Sequence, residues 1–148
     1  MQPKCFCSMA KNYVDLGLPS GTLWATKNET GNYFHGLYDC DEAVEEFGDR
    51  LPTKDDWQEL IDNVPHSFDE KRAGLLFTAP NGNELFLPIT GFSSSLRTLK
   101  IHYEGYYLSS TPCGSNSVFC LHFDRHKARV WGRVSRKESF YVKLIKRR

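Results

Sequence analysis

The stretch from Asp39 to Leu60 carries two complete helix-start signals in close succession, and this pairing constrains the fold more than any other feature of the chain. Asp39 is followed three residues later by Glu42, and Thr53 by Asp56. Each cap side chain can accept an amide hydrogen of the first turn while the acid three residues on reaches back to the cap's own amide. Behind the first signal, Cys40, Ala43, Val44 and Phe47 fall on one helical face, and Gly48 supplies a stop. Behind the second, Trp57, Leu60, Ile61 and Val64 form an apolar stripe that Pro65 ends. The spacing predicts two short helices joined by a tight Leu51-Pro-Thr53 corner. The acids crowding both first turns suit the helix dipole, and neither helix carries a recognisable catalytic pattern.

The rest of the chain reads as β-structure. Tyr13–Leu18 and Thr22–Thr26 form two short strands around Pro19-Ser-Gly21, and Trp24 belongs to the core. Gly74–Ala79 and Glu84–Leu87 flank Pro80-Asn-Gly-Asn83, a hairpin signal. Further strands are predicted over Gly105–Ser110, Val118–Asp124, Ala128–Val134 and Ser139–Ile145, after a long polar loop from Gly91 to Glu104. At 148 residues, without a repeat or linker, the expectation is a loose N-terminal tail over 1–11 and one α+β domain over 12–148. Its two short helices should pack on small twisted antiparallel sheets.

No run approaches the roughly 20 apolar residues of a membrane helix, so membrane insertion is not expected. Met1–Ala10 lacks a continuous apolar stretch and does not read as a secretion signal. Among the five cysteines, Cys113 and Cys120 flank a Gly-Ser-Asn-Ser turn and would staple a hairpin in an oxidising compartment; otherwise they are free thiols. Asn28-Glu-Thr30 matches a glycosylation sequon. The net charge of +1 conceals a split: residues 1–124 hold 9 Lys/Arg against 17 Asp/Glu, whereas 125–148 hold 10 Lys/Arg and only Glu138. Such a split serves an anionic ligand, an acidic partner or internal pairing.

Four segments resemble, in order, the Fibrobacter major paralogous domain family of Bacteroidetes. They are Tyr13-Val-Asp-Leu-Gly-Leu-Pro-Ser-Gly-Thr-Leu-Trp-Ala-Thr26, Arg50-Leu-Pro-Thr-Lys-Asp-Asp-Trp-Gln-Glu-Leu-Ile-Asp-Asn63, Pro80-Asn-Gly-Asn83 with Leu85-Phe-Leu-Pro88, and Gly105-Tyr-Tyr-Leu-Ser-Ser110. The resemblance implies a C-type-lectin-like fold, akin to formylglycine-generating enzymes and the variable proteins of diversity-generating retroelements. It also implies a cell-surface or secreted location. Two departures stand out: the segment before the helices is compact, and the last strands are strongly basic instead of nearly neutral.

Those basic strands hold the candidate site. In Ala128–Val134, strand alternation would put Arg129, Trp131 and Arg133 on one face, an aromatic platform between two cations suited to a sugar ring and a carboxylate or phosphate. Alternatively Trp131 is covered by a loop on an ordinary solvated face. On the preceding strand Cys120, His122, Asp124 and His126 alternate outward, but residues two apart lie ~6.5–7 Å from each other, too far for a compact metal site from one strand. His122 and Asp124 therefore count as polar contacts, joined by Tyr106 and, from the Leu96–Tyr103 loop with its Arg97, Lys100 and His102, by Tyr103.

Catalytic signatures are missing: no nucleophile elbow, phosphate-cradling glycine loop, metalloprotease helix or Cys-x-x-Cys occurs. Cys113 and Cys120 lack the motif around the cysteines of formylglycine-generating enzymes, and the calcium motifs of calcium-dependent lectins are absent. The expected function is thus a non-enzymatic, cofactor-free module recognising a glycan or protein surface without calcium. The alternatives are a module binding nucleic acid or an acidic protein through the basic C-terminal quarter, and an enzyme of the formylglycine-generating type.

Overall fold

A computed structural model of the chain describes residues 12–29, 37–89 and 103–148. The predicted tail over 1–11, most of the loop before the first helix, and the loop residues Arg97, Lys100 and His102 lie outside these. The fold is α+β. Strands β1 (Tyr13–Asp15), β2 (Leu23–Ala25) and β3 (Tyr38–Asp39) precede helices α1 (Cys40–Phe47) and α2 (Lys54–Asn63). Then come β4 (His66–Asp69), β5 (Gly74–Thr78), β6 (Glu84–Pro88), β7 (Gly105–Pro112), β8 (Ser117–Phe123), β9 (Ala128–Ser135), β10 (Ser139–Phe140) and β11 (Ile145–Lys146). They pair as four small antiparallel sheets, ordered β1-β2-β11, β3-β10, β4-β5-β6 and β7-β8-β9.

Both capping boxes form. Asp39 accepts from the Glu42 amide at 2.8 Å while Glu42 accepts from that of Asp39 at 2.9 Å, and Thr53 and Asp56 exchange the same bonds. Gly48 closes α1 with φ of 55°, a conformation that spares it the Cβ clash other residues meet. Val44 departs from the predicted stripe: it is 44 % exposed, and α1 buries Cys40, Ala43 and Phe47 alone. The corner between the helices is itself buried, and the Pro52 carbonyl accepts from the Ser110 amide at 2.8 Å, tying it to β7.

The predicted strand Ser139–Ile145 is broken. Val142, Lys143 and Leu144 lie between β10 and β11, fully buried, while Tyr141 bridges Tyr107. That continuous run of inward residues leaves no outward face for a regular strand's alternation. A strand not foreseen, β4, pairs with β5 because Ala73 adopts a left-handed conformation at φ of 58° and turns the chain.

The β7-β8-β9 sheet separates two cores. On one face Tyr107, Leu121 and Phe123 join Trp24, Trp57 and Leu60; on the other Leu108, Val118 and Cys120 join Ala43, Phe47 and Phe140. The segments that carry the family resemblance meet one another here. Trp24 and Trp57 have ring centres 4.5 Å apart, the Trp57 indole N–H donates to the Leu108 carbonyl at 3.2 Å, and Asn81 and Asn83 both donate to the Asp15 carbonyl. Burying one such indole at ~25 cal/mol per Å² over about 200 Å² contributes about 5 kcal/mol before entropy is subtracted. The sheet is thereby clamped from both sides, and side chains at its β9 edge stand on a rigid support.

Candidate ligand-binding site

Cross-strand register assembles the site. Tyr106 is opposite His122, and His122 is opposite Arg129, so the three share one face of β7-β8-β9. The next row is Leu108, Cys120 and Trp131. Leu108 and Cys120 are fully buried, whereas Trp131, on the edge strand, is 38 % exposed. The Arg129 guanidinium lies 4.1 Å from the centre of the Trp131 ring. No carboxylate among the described residues pairs with it, and its Nε is buried without a hydrogen-bond partner.

His122 sits at the centre of the row. Its Nε2 is 3.2 Å from the Glu104 carboxylate and its ring centre 4.7 Å from that of Tyr106. A carboxylate only accepts, so Nε2 carries the hydrogen, and Nδ1 is left buried with no partner among the described residues. Burial, reinforced by the Glu104 charge, pushes the Tyr106 hydroxyl up to about 12, and burial pushes the Cys120 thiol up to about 12 as well. Neither ionises near neutral pH, and Cys120 has the character of an inert buried thiol. Glu104 was not singled out from sequence, although alternation from Tyr106 back by two residues puts it on the same face.

Arg133 is not part of this row. Trp131 pairs with Cys120 and Val134 with Val118, so Gly132 and Arg133 together oppose Phe119 in a β-bulge, with Arg133 at φ of 66°. The alternation that would align Arg133 with Trp131 is lost there. Tyr103 belongs elsewhere too. It packs edge-on against Phe68, itself against Phe123, and Arg125 covers its ring at 3.6 Å. Phe123 faces the core opposite to His122, so the sheet stands between Tyr103 and Trp131. Asp124 closes a turn, accepting from the amides of His126 and Lys127 at 2.7 and 3.0 Å. Burial pushes its carboxyl up, but these bonds more than offset that and hold it below the usual range.

Two further sequence expectations meet their geometry here. Cys113 and Cys120 are both unpaired. Cys113 and Phe119 line the space in front of Gly132, whereas Cys120, the residue after Phe119, points through the opposite face, so a hairpin staple cannot close. In the sequon, Asn28 is half-buried and its amide donates to the Tyr107 hydroxyl at 3.0 Å, a nitrogen already occupied.

The basic quarter is partly drawn inward. Arg125 pairs with Glu70, Arg136 with Asp41, Arg147 with Asp56 and Arg148 with Asp15, four of its ten cations. Arg129 is a half-buried cation of this quarter without an ion pair among the described residues. No described helix is long and apolar enough to cross a membrane. Comparison of the chain with models of known families, with characterised proteins and with solved structures yields no match.

Proposed function

We propose that the chain is a C-type-lectin-like domain of the major paralogous kind, acting as a non-enzymatic module that binds an acidic glycan or the acidic surface of a protein. The single observation that carries the binding reading is Arg129: half-buried, laid on an exposed tryptophan and without an ion pair among the described residues. A guanidinium removed in part from water without a carboxylate is poorly compensated, and an incoming carboxylate would compensate it through a bidentate pair. Trp131 beside it offers an apolar face for a sugar ring or an aliphatic side chain. The mutual packing of the four resembling segments supports the scaffold half of the reading.

The nucleic-acid alternative loses part of its support, because Arg136 and Arg148 of the basic quarter are already engaged by Asp41 and Asp15. Probing arrays of neutral and acidic glycans and of acidic proteins with the native chain and with Arg129→Ala tests the proposal. Signals confined to acid-bearing ligands and lost in the variant support it. A profile indifferent to ligand charge or to Arg129 would reject it.

A further inference from the structure

A second cluster of cations stands apart from the Arg129 face. The 3₁₀ turn Gly48–Arg50, β1 and β11 border an open cleft of about 370 Å³, lined by Tyr13, Asp49, Arg50, Ile145, Lys146 and Arg147. This is within the range of ~300–1,000 Å³ typical of small-molecule sites. Three of the six residues are cations, and each is held by its own contact. The Lys146 ammonium is 5.8 Å from the centre of the Tyr13 ring, across β2, and the Arg50 guanidinium is 5.6 Å from that of Phe47. Arg147 makes a bidentate pair with Asp56 at 2.7 and 2.9 Å and also donates to Thr22 at 3.3 Å.

Acids gather around Arg147 and not around the other two cations: Asp56, Asp49 and Glu59 all act on its guanidinium. Arg50 and Lys146 form no ion pair among the described residues. Of the five N–H donors of Arg147, three are used in those contacts, so two remain for a ligand. A fixed fork, a point-charge ammonium and a second guanidinium, from two distant chain segments, thus line one cleft. We infer that this cleft is a second binding site, taking a small ligand through a sulfate or phosphate group, with Arg50 and Lys146 as its principal contacts. A tetrahedral oxyanion offers acceptors in several directions at once, as donors arriving from separate walls require, whereas a carboxylate is best met by one coplanar fork.

Isothermal titration of the native chain with sodium sulfate, sodium phosphate and sodium acetate, each against chloride at matched ionic strength, tests this site. The expected result is saturable one-site binding of sulfate or phosphate. It should weaken at least tenfold in the double variant Arg50→Gln/Lys146→Gln and stay unchanged in Arg129→Ala. Both substituted side chains are exposed, and circular dichroism verifies folding; the single variants replace the double one if it fails. No saturable heat beyond chloride, equal binding by the double variant, or tighter binding of acetate than of sulfate would overturn the assignment. Loss of binding in Arg129→Ala would move the ligand to the other face, so the two sites fail separately.

Discussion

The Asp56 carboxylate does two jobs: it completes the capping box of α2 by accepting from the Thr53 amide at 2.8 Å, and it holds Arg147 in a bidentate pair. Helix start and final strand are thereby locked together. Burial alone would push this carboxyl up, but the hydrogen bonds from Arg147 and Thr53 more than offset it and hold the carboxyl below the usual range. A depressed acid stabilises the fold above its unfolded value of ~3.9, and that contribution is lost as pH falls through the folded value. Asp56→Asn should cost about 1–3 kcal/mol at neutral pH. In urea unfolding followed against pH, the gap between native and variant chains should narrow below about pH 4. A gap that stays constant down to pH 3 would show that the charge of Asp56 contributes nothing.

Lys143 gives the opposite sign. It is 1 % exposed, and burial, only partly opposed by Glu29, pulls its ammonium down to about 8. The unfolded chain then binds more protons than the folded one between about pH 8 and 10, so stability rises with pH across that window. Below it both states are protonated and the burial penalty is fully present. Lys143→Met should therefore stabilise by about 1–3 kcal/mol at pH 7 and flatten the curve from pH 8 to 10. A variant less stable than the native chain at pH 7 would mean that the amine makes a compensating bond.

These two residues mark what could and could not be read from the chain. Capping boxes, hairpins and strand faces follow from spacing within a few residues, which is why α1, α2, β5 and β6 were foreseen nearly to their ends. Asp56 reads as the box partner of Thr53, but its second partner lies far along the chain, and no local spacing announces it. The charge split between the two parts of the chain was the one long-range clue. For the site, alternation puts Arg129 and Trp131 on one face, as the structure does, whereas the pairing of His122 with Tyr106 is a matter of cross-strand register that the sequence does not announce. Alternation failed at Arg133 because a bulge adds one residue without a composition signal, and at Tyr103 because strand polarity does not reveal which core a preceding aromatic joins.

Arg133 allows a direct check of the bulge. A side chain held at φ of 66° carries strain that glycine lacks. Arg133→Gly should stabilise the chain by about 0.5–1 kcal/mol, read as a rise in the urea midpoint, and should leave ligand affinity at the Trp131 face unchanged. Loss of affinity would return Arg133 to the site.

The binding face is best tested through Trp131 itself. Trp24 and Trp57 are fully buried, so among the three tryptophans Trp131 alone is open to an added ligand. Fluorescence titration with an acidic glycan or protein taken from the arrays should shift emission saturably. Arg129→Ala should weaken the ligand at least tenfold, and Trp131→Phe should abolish the spectral change while retaining measurable binding by calorimetry. A ligand that binds the native chain, Arg129→Ala and Trp131→Ala with equal affinity would contradict the assignment of this face.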